Sequence, residues 1–375
     1  MSGRVGSPPG RVLCVAAAAL ASAAGGGAAQ ERPPPRVAVA TVAALTAQAT
    51  DASGVRSEVI GSIDVFADVA LGSVVLHAYV EAGTTPFSGG VFGAVPEANA
   101  VGGTALDADG TGRVQVSELR LAVPLSPRAT AHVGLMDVTG FLDVSRIAND
   151  ENVYFLGAPF VNNPTIAFPD YVLGGALETA IPGREDTRMA LVLTSSAGLA
   201  DNPGASYSDL IDVTAPGKGV FLGGRIRWAS PRGHVSAGAW LDASDNPRLG
   251  GASGAEAGHG AFLVGGIDRG SHSVSARLGV ADEAVAPVHR FVGMTYLWAS
   301  GDDAVGLALG RSSPSSRLAD APATAHGEVF LRRHFLGETF ATLSVQRIHD
   351  AGLFGGSATS PARLWVAGLR LTVPL

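Results

Sequence analysis

Cysteine and lysine are almost missing from this chain of 375 residues: Cys14 is the one cysteine and Lys218 the one lysine. Charged residues make up only 16% and aromatics 6%. The formal net charge of −7 excludes the basic footprint of a nucleic-acid binder. An apolar content of 46% excludes a disordered chain, which buries too little to fold. Beyond the N-terminus no apolar run reaches the roughly 18 residues of a spanning helix. The positive mean hydropathy of +0.27 must therefore be spread in another pattern. The length suits two ordinary domains or one large β-structure.

The first thirty residues read as an export signal, 1–29, ahead of a body spanning 30–375. Arg4 and Arg11 precede the short apolar run "VLCVAAAALASAA", and small residues continue as far as "GGAAQ". A cut after Ala23 or after Ala29 fits equally. Cys14 lies inside this segment, so the mature chain is expected to lack cysteine. Disulfides and cysteine-ligated metal are thereby excluded.

The body alternates. In "HSVSARLGV", His272, Val274, Ala276, Leu278 and Val280 share one face, with Ser273, Ser275, Arg277 and Gly279 on the other. Val220, Leu222, Ile226 and Trp228 oppose Phe221, Arg225 and Arg227. Trp365, Leu369, Leu371, Val373 and Leu375 share one side of the final segment. Period two over about ten residues, repeated to the C-terminus, means half-buried strands.

The connections alternate as well. Short turns at 126–128, 182–186, 230–233, 268–271, 300–303 and 336–339 are interleaved with links at 84–113, 139–170, 199–216, 245–257, 282–289, 313–324 and 349–361. Sorting of short turns to one rim and long loops to the other is the layout of an outer-membrane barrel. The strands read as 36–48, 58–70, 72–83, 114–125, 129–138, 171–181, 187–198, 217–230, 233–244, 258–268, 272–282, 290–300, 303–312, 325–335, 340–348 and 362–375. That is an all-β fold, a transmembrane antiparallel β-barrel of about 16 strands, a size that leaves an aqueous channel. Trp228 and Trp298 sit on apolar faces beside short turns, where an interfacial girdle belongs.

One stretch suggests calcium. In "DADGTGRVQVSE", Asp107, Asp109, Thr111, Gly112 and Glu118 fall at EF-hand loop positions 1, 3, 5, 6 and 12. An EF-hand then needs a helix, but Leu119, Leu121, Val123 and Leu125 alternate with Glu118, Arg120, Ala122 and Pro124. The segment reads as a polar external loop entering a strand whose carboxylate faces the lumen. No metal or cofactor is expected.

A narrower reading comes from the stretch beginning at Ala129. It contains Gly134, Asp137, Phe141, Asp143, Ala148-Asn149-Asp150-Glu151, Phe155, Phe160-Val161-Asn162-Asn163-Pro164 and Phe168-Pro169-Asp170-Tyr171. In order and spacing these resemble the carbohydrate-selective porin (OprB) family, over roughly 36–181. The chain departs from the family at Leu135, where a lysine is common, and in lacking a tryptophan-rich N-terminal motif. It ends on Pro374-Leu375 in place of a terminal aromatic. The resemblance implies a sixteen-stranded barrel in the outer membrane of a Gram-negative bacterium, trimeric in some members. Small sugars and similar hydrophilic solutes would cross it by diffusion.

The residues themselves support a pore. Inward phases carry Asp64, Asp68, His77, Tyr79, Glu81, Glu118, Arg120, Arg225, Arg227, Arg277, Glu328 and Arg332. Mixed charge is costly in a dry core and is solvated in a wet lumen. Facing arginines and carboxylates can set a transverse field and bond to hydroxyls. The link 139–170 is the candidate constriction loop. Its Asn149, Asp150, Glu151, Asn162, Asn163 and Asp170 offer sugar-type hydrogen bonds, while "NNP" and "FPDY" also suit plain turns. Each lumen residue has the alternative role of solvating the channel and nothing more.

Three other functions compete. A general porin would be size-limited only. A plugged structural or adhesive barrel would need bulky apolar inward phases, and these read as mostly small or polar. An enzyme would need a nucleophile beside a histidine and an orienting group, but histidines 132, 234, 259, 272, 289, 326, 334 and 349 are scattered and no GxSxG motif exists. Enzymatic activity is not expected.

Overall fold

A computed structural model of the chain describes residues 36–375 apart from 103, 108, 148, 170, 200–206, 208–209, 211–213, 215–216, 319–320 and 355–362. The expected export signal and Asp170 lie outside the described residues.

The first eight strands are β1 (Val37–Thr50), β2 (Glu58–Leu71), β3 (Val74–Gly83), β4 (Val114–Ser126), β5 (Ala129–Met136), β6 (Val172–Ile181), β7 (Arg184–Ser195) and β8 (Val220–Ser230). The rest are β9 (Gly233–Pro247), β10 (Ala255–Arg269), β11 (His272–Ala281), β12 (Val288–Ser300), β13 (Asp303–Pro314), β14 (Thr324–Leu336), β15 (Thr339–His349) and β16 (Arg363–Pro374). Each pairs with its neighbours in sequence, and β16 closes on β1 from Val42↔Pro374 to Thr50↔Val366. Closure leaves no free edge, so every strand's backbone groups are paired within the wall.

Two-residue turns join the strands at one rim, and several have a glycine at positive φ. Gly72, Gly183, Gly270, Gly301 and Gly337 lie between φ 58 and 75, the left-handed conformation that tight hairpins require. The "PGRED" turn is tighter than its sequence suggests: Gly183 turns the chain and β7 begins at Arg184.

Outward residues form an apolar band. Leu45, Ile63, Leu119, Leu193, Leu263, Val292 and Leu343 are all exposed on the outer face of the barrel. Trp228, Trp298 and Phe335 stand outward near the short turns. At the other rim Trp365 packs under the Arg347 guanidinium at 4.6 Å.

The calcium-like loop serves its own turn. Asp109 accepts hydrogen bonds from the Thr111 backbone N–H at 2.9 Å and hydroxyl at 2.6 Å, and Asp107 lies 3.7 Å from Arg113. The loop runs into strand β4 rather than a helix, and the strand carries a bulge: Tyr79 pairs with Glu118 and Val80 with Val116. The extra residue, Ser117, turns inward with Glu118, and its hydroxyl donates to Glu81 at 2.8 Å.

Candidate functional site: the lumen and its inward loop

The stretch 137–171 between β5 and β6 folds into the barrel and is tied to the wall at many points. Its single-turn helix Thr139–Leu142 seats on β8 at Gly223, where a Cβ would lie 2.6 Å from the Leu142 side chain. On β11 the Arg277 Nε donates to Asp143 at 2.8 Å, Nη1 to the Phe160 carbonyl at 2.6 Å and Nη2 to that of Val161 at 3.0 Å. Asn163 donates to the Leu278 carbonyl at 3.1 Å. Thr165 lies so close to Gly279 that a Cβ there would meet its hydroxyl at 1.9 Å.

The loop's far end reaches β14, β16 and β2. Arg332 donates to the Val153 carbonyl at 3.2 Å, and Arg370 to the Tyr154 carbonyl at 2.8 Å and to that of Glu151. Glu328 accepts from the Leu156 and Gly157 N–H groups at 3.0 and 2.8 Å. Asn152 bonds Asp64 on β2 at 2.6 Å. A buried apolar layer holds the rest: Phe155, Phe160 and Phe330 pack edge to face, and Phe141 and Leu142 join Phe221, Trp240 and Phe262. Inward phases of β8–β14 are thus more aromatic than the alternation suggests, because they form the seat of the loop.

The wall from β2 to β8 is different. Its charged side chains pair with one another in a row around the circumference. Asp68 meets His77 Nδ1 at 2.7 Å, and His77 Nε2 faces Glu118 at 3.7 Å. Glu118 holds Arg120 at 3.1 Å, Arg120 Nη1 meets His132 Nδ1 at 2.9 Å, and His132 Nε2 faces Glu178 at 3.5 Å. Glu178 in turn lies 3.7 Å from Arg225. Arginine can only donate, so Nδ1 of His132 accepts and its proton sits on Nε2, toward Glu178.

Where the loop tip approaches β2 and β3, carboxylates gather. Tyr79 donates to Asp64 at 2.8 Å, Thr104 to Glu81, and Gln115 to Glu81 at 3.3 Å. The Phe66 and Tyr79 rings stack at 4.5 Å. Within the loop, burial pushes Glu151 up to about 8, helped by the neighbouring charges of Asp150, Asp64 and Glu81. Burial raises Asp150 to about 6 against the pull of Arg370 and Arg332. Asp137 rises to about 6 through burial and the nearby Glu118.

The residues singled out in the sequence therefore fall into two sets. Asp64, Asp68, Glu81, Glu118, Arg120, Arg225 and Arg227 point to the inside of the barrel on β2–β8, where Asp64, Glu81 and Arg225 are themselves nearly buried, with Asp150 and Glu151 at the loop tip. Arg277 and Asn163 are buried, at 5% and 1% exposure, and hold the loop to the wall. Asn149, at φ 65, bonds Asn162 at 2.8 Å and the Val161 carbonyl at 3.0 Å within the loop. Arg370, Asn152, His132 and Glu178 were not among them. For Arg370 the signal was present: it interrupts the apolar alternation of Leu369 and Leu371 on the opposite phase.

No protein-family model matches the chain. An uncharacterised protein of Aquifex aeolicus is 34% identical over 80 residues, 21% of this chain. The match spans about a quarter (26%) of that relative's length. Among solved structures, Pseudomonas putida OprB superposes with a TM-score of 0.70 at 11% identity, covering 90% of this chain and 93% of that one. A variant of the Rh. blastica porin gives 0.55 at 12% identity, covering 90% and 100%. The chain thus has the sixteen-stranded fold of these porins.

Proposed function

We propose that the chain is an outer-membrane porin of a Gram-negative bacterium. Small sugars and similar hydrophilic solutes would pass by diffusion through a water-filled barrel narrowed by the loop 137–171. One observation carries the reading: a closed wall, apolar outside, whose inner face from β2 to β8 bears a paired row of charged groups beside an inserted loop. Charged groups of both signs concentrated on one inner wall suit an interior that holds water. Carboxylates of Asp64, Glu81 and the loop tip stand on one part of the wall, and Arg225 and Arg227 six strands away from β2. A field between them orders water, and polyhydroxylated solutes can replace that water bond for bond. The stacked Phe66 and Tyr79 lie beside the Asp64 carboxylate, a pairing of apolar face and acceptor that suits a sugar ring.

A plugged barrel is the second reading, favoured by the aromatic seat under the loop. Swelling of proteoliposomes in isotonic sugars separates the two. The porin reading expects rates above protein-free vesicles, falling from pentose to hexose to disaccharide. Rates equal to protein-free vesicles, from verifiably folded barrel, would establish the plug.

A further inference from the structure

The inner wall of β7–β9 holds more hydrogen-bond donors than its neighbours can satisfy. Arg188 on β7 stands directly across from Arg227 on β8, and Arg227 across from Ser236 on β9. Like charges in facing positions repel unless something lies between them. Arg225, 5% exposed, has Nε and Nη1 without a hydrogen-bond partner. The same is true of Arg227 Nε and Ser236 Oγ. These orphan groups form one contiguous patch. The acids near it are already engaged: Glu178 is shared between Arg225 and His132, and Asp268 is held by Arg146 at 3.1 Å and Ser273 at 2.6 Å. Buried donors without acceptors are rare in native proteins and call for a missing partner.

On the reading of a wet lumen given above, we propose that this patch is a binding site for an oxyanion carried by a passing solute, such as the carboxylate of a sugar acid or the phosphate of a sugar phosphate. Arg188 is exposed and Arg227 half-buried, so the site is reached from the channel through these two. A bidentate oxyanion bridges Arg188 and Arg227, relieves their repulsion and accepts from the Arg225 guanidinium behind them. The Ser236 hydroxyl supplies a further donor. A neutral sugar's hydroxyls accept only single, uncharged hydrogen bonds here and leave the Arg188–Arg227 repulsion in place, so the site favours charged solutes over neutral ones.

The test is isothermal titration of the full chain, folded in detergent, with glucuronate, glucose 6-phosphate, inorganic phosphate and glucose at low salt. Binding is read without transport, so a failed channel and a failed site give separate results. Glucuronate and glucose 6-phosphate are expected to bind at least about ten-fold more tightly than glucose, as charge-assisted bonds to arginine dictate. Arg225→Gln and the more accessible Arg227→Gln should each remove that difference. Phosphate binding as tightly as glucose 6-phosphate would support the site and show that the oxyanion alone fills it. Glucuronate no tighter than glucose, or either folded variant retaining the preference, would overturn the proposal.

Discussion

Arg277→Ala is expected to release the loop from the far wall and enlarge the channel. Arg277 makes the ion pair with Asp143 and caps the Phe160 and Val161 carbonyls, while Asp143 has no solvent exposure. Removing one partner of a buried pair strands the other charge, at a cost of about 3–5 kcal/mol. That cost falls on the loop's seating rather than on the wall, whose strands stay paired on both sides. Limited proteolysis should therefore cut within 137–171 in the variant and spare it in the native chain. Single-channel steps should become larger and noisier. Arg277→Lys keeps a charge but loses the fork that reaches two elements, and should fall between. Native conductance and native proteolysis in Arg277→Ala would show that the loop is held elsewhere.

Raising the pH is expected to make the channel progressively more cation-selective. Asp150 and Glu151 at the loop tip titrate near 6 and 8. An acid is neutral below its pKa, so the tip gains its first negative charge as pH passes about 6 and its second near 8. A unit charge a few ångströms from a passing ion is worth about 1 kcal/mol in water, so each ionisation should raise potassium permeability and lower chloride permeability by roughly five-fold each. Reversal potentials across a salt gradient read this directly. Glu151→Gln should remove the upper step and leave the lower. The same shifts act on stability: groups with raised pKa bind protons more tightly in the folded state, so stability falls as pH rises from the ordinary carboxylate range through these values.

The wall was legible in the sequence because period two is a local signal. Each of Leu119, Leu121 and Val123 announces its face through its neighbours, because an apolar outer face opposes a polar inner one along the strand. Closure could be inferred from the sorting of short turns and long links. The loop was legible as polar and aromatic, and as a match to a known pattern of residues, but its route was not. Its attachments join residues far apart in sequence, such as Asn152 to Asp64 and Arg370 to Tyr154. Alternation along one strand cannot say which inward residues meet a loop and which meet water. Arg225 and Arg277 read alike for that reason and are equally buried; only their partners separate them, since Arg277 caps loop carbonyls while Arg225 meets Glu178 on the wall. The inward aromatics misled in the same way: Phe221 and Phe330 occupy the phase of polar residues because a loop, not solvent, covers them.

The most direct test of the account is single-channel conductance of the refolded chain in a planar bilayer, titrated with glucose and larger sugars. Discrete open steps that sugar reduces in a saturable manner are expected, with the reduction lost in Asp64→Asn. Steps indifferent to every sugar would contradict selectivity and leave a size-limited pore. No steps at all from a folded barrel would contradict the channel itself.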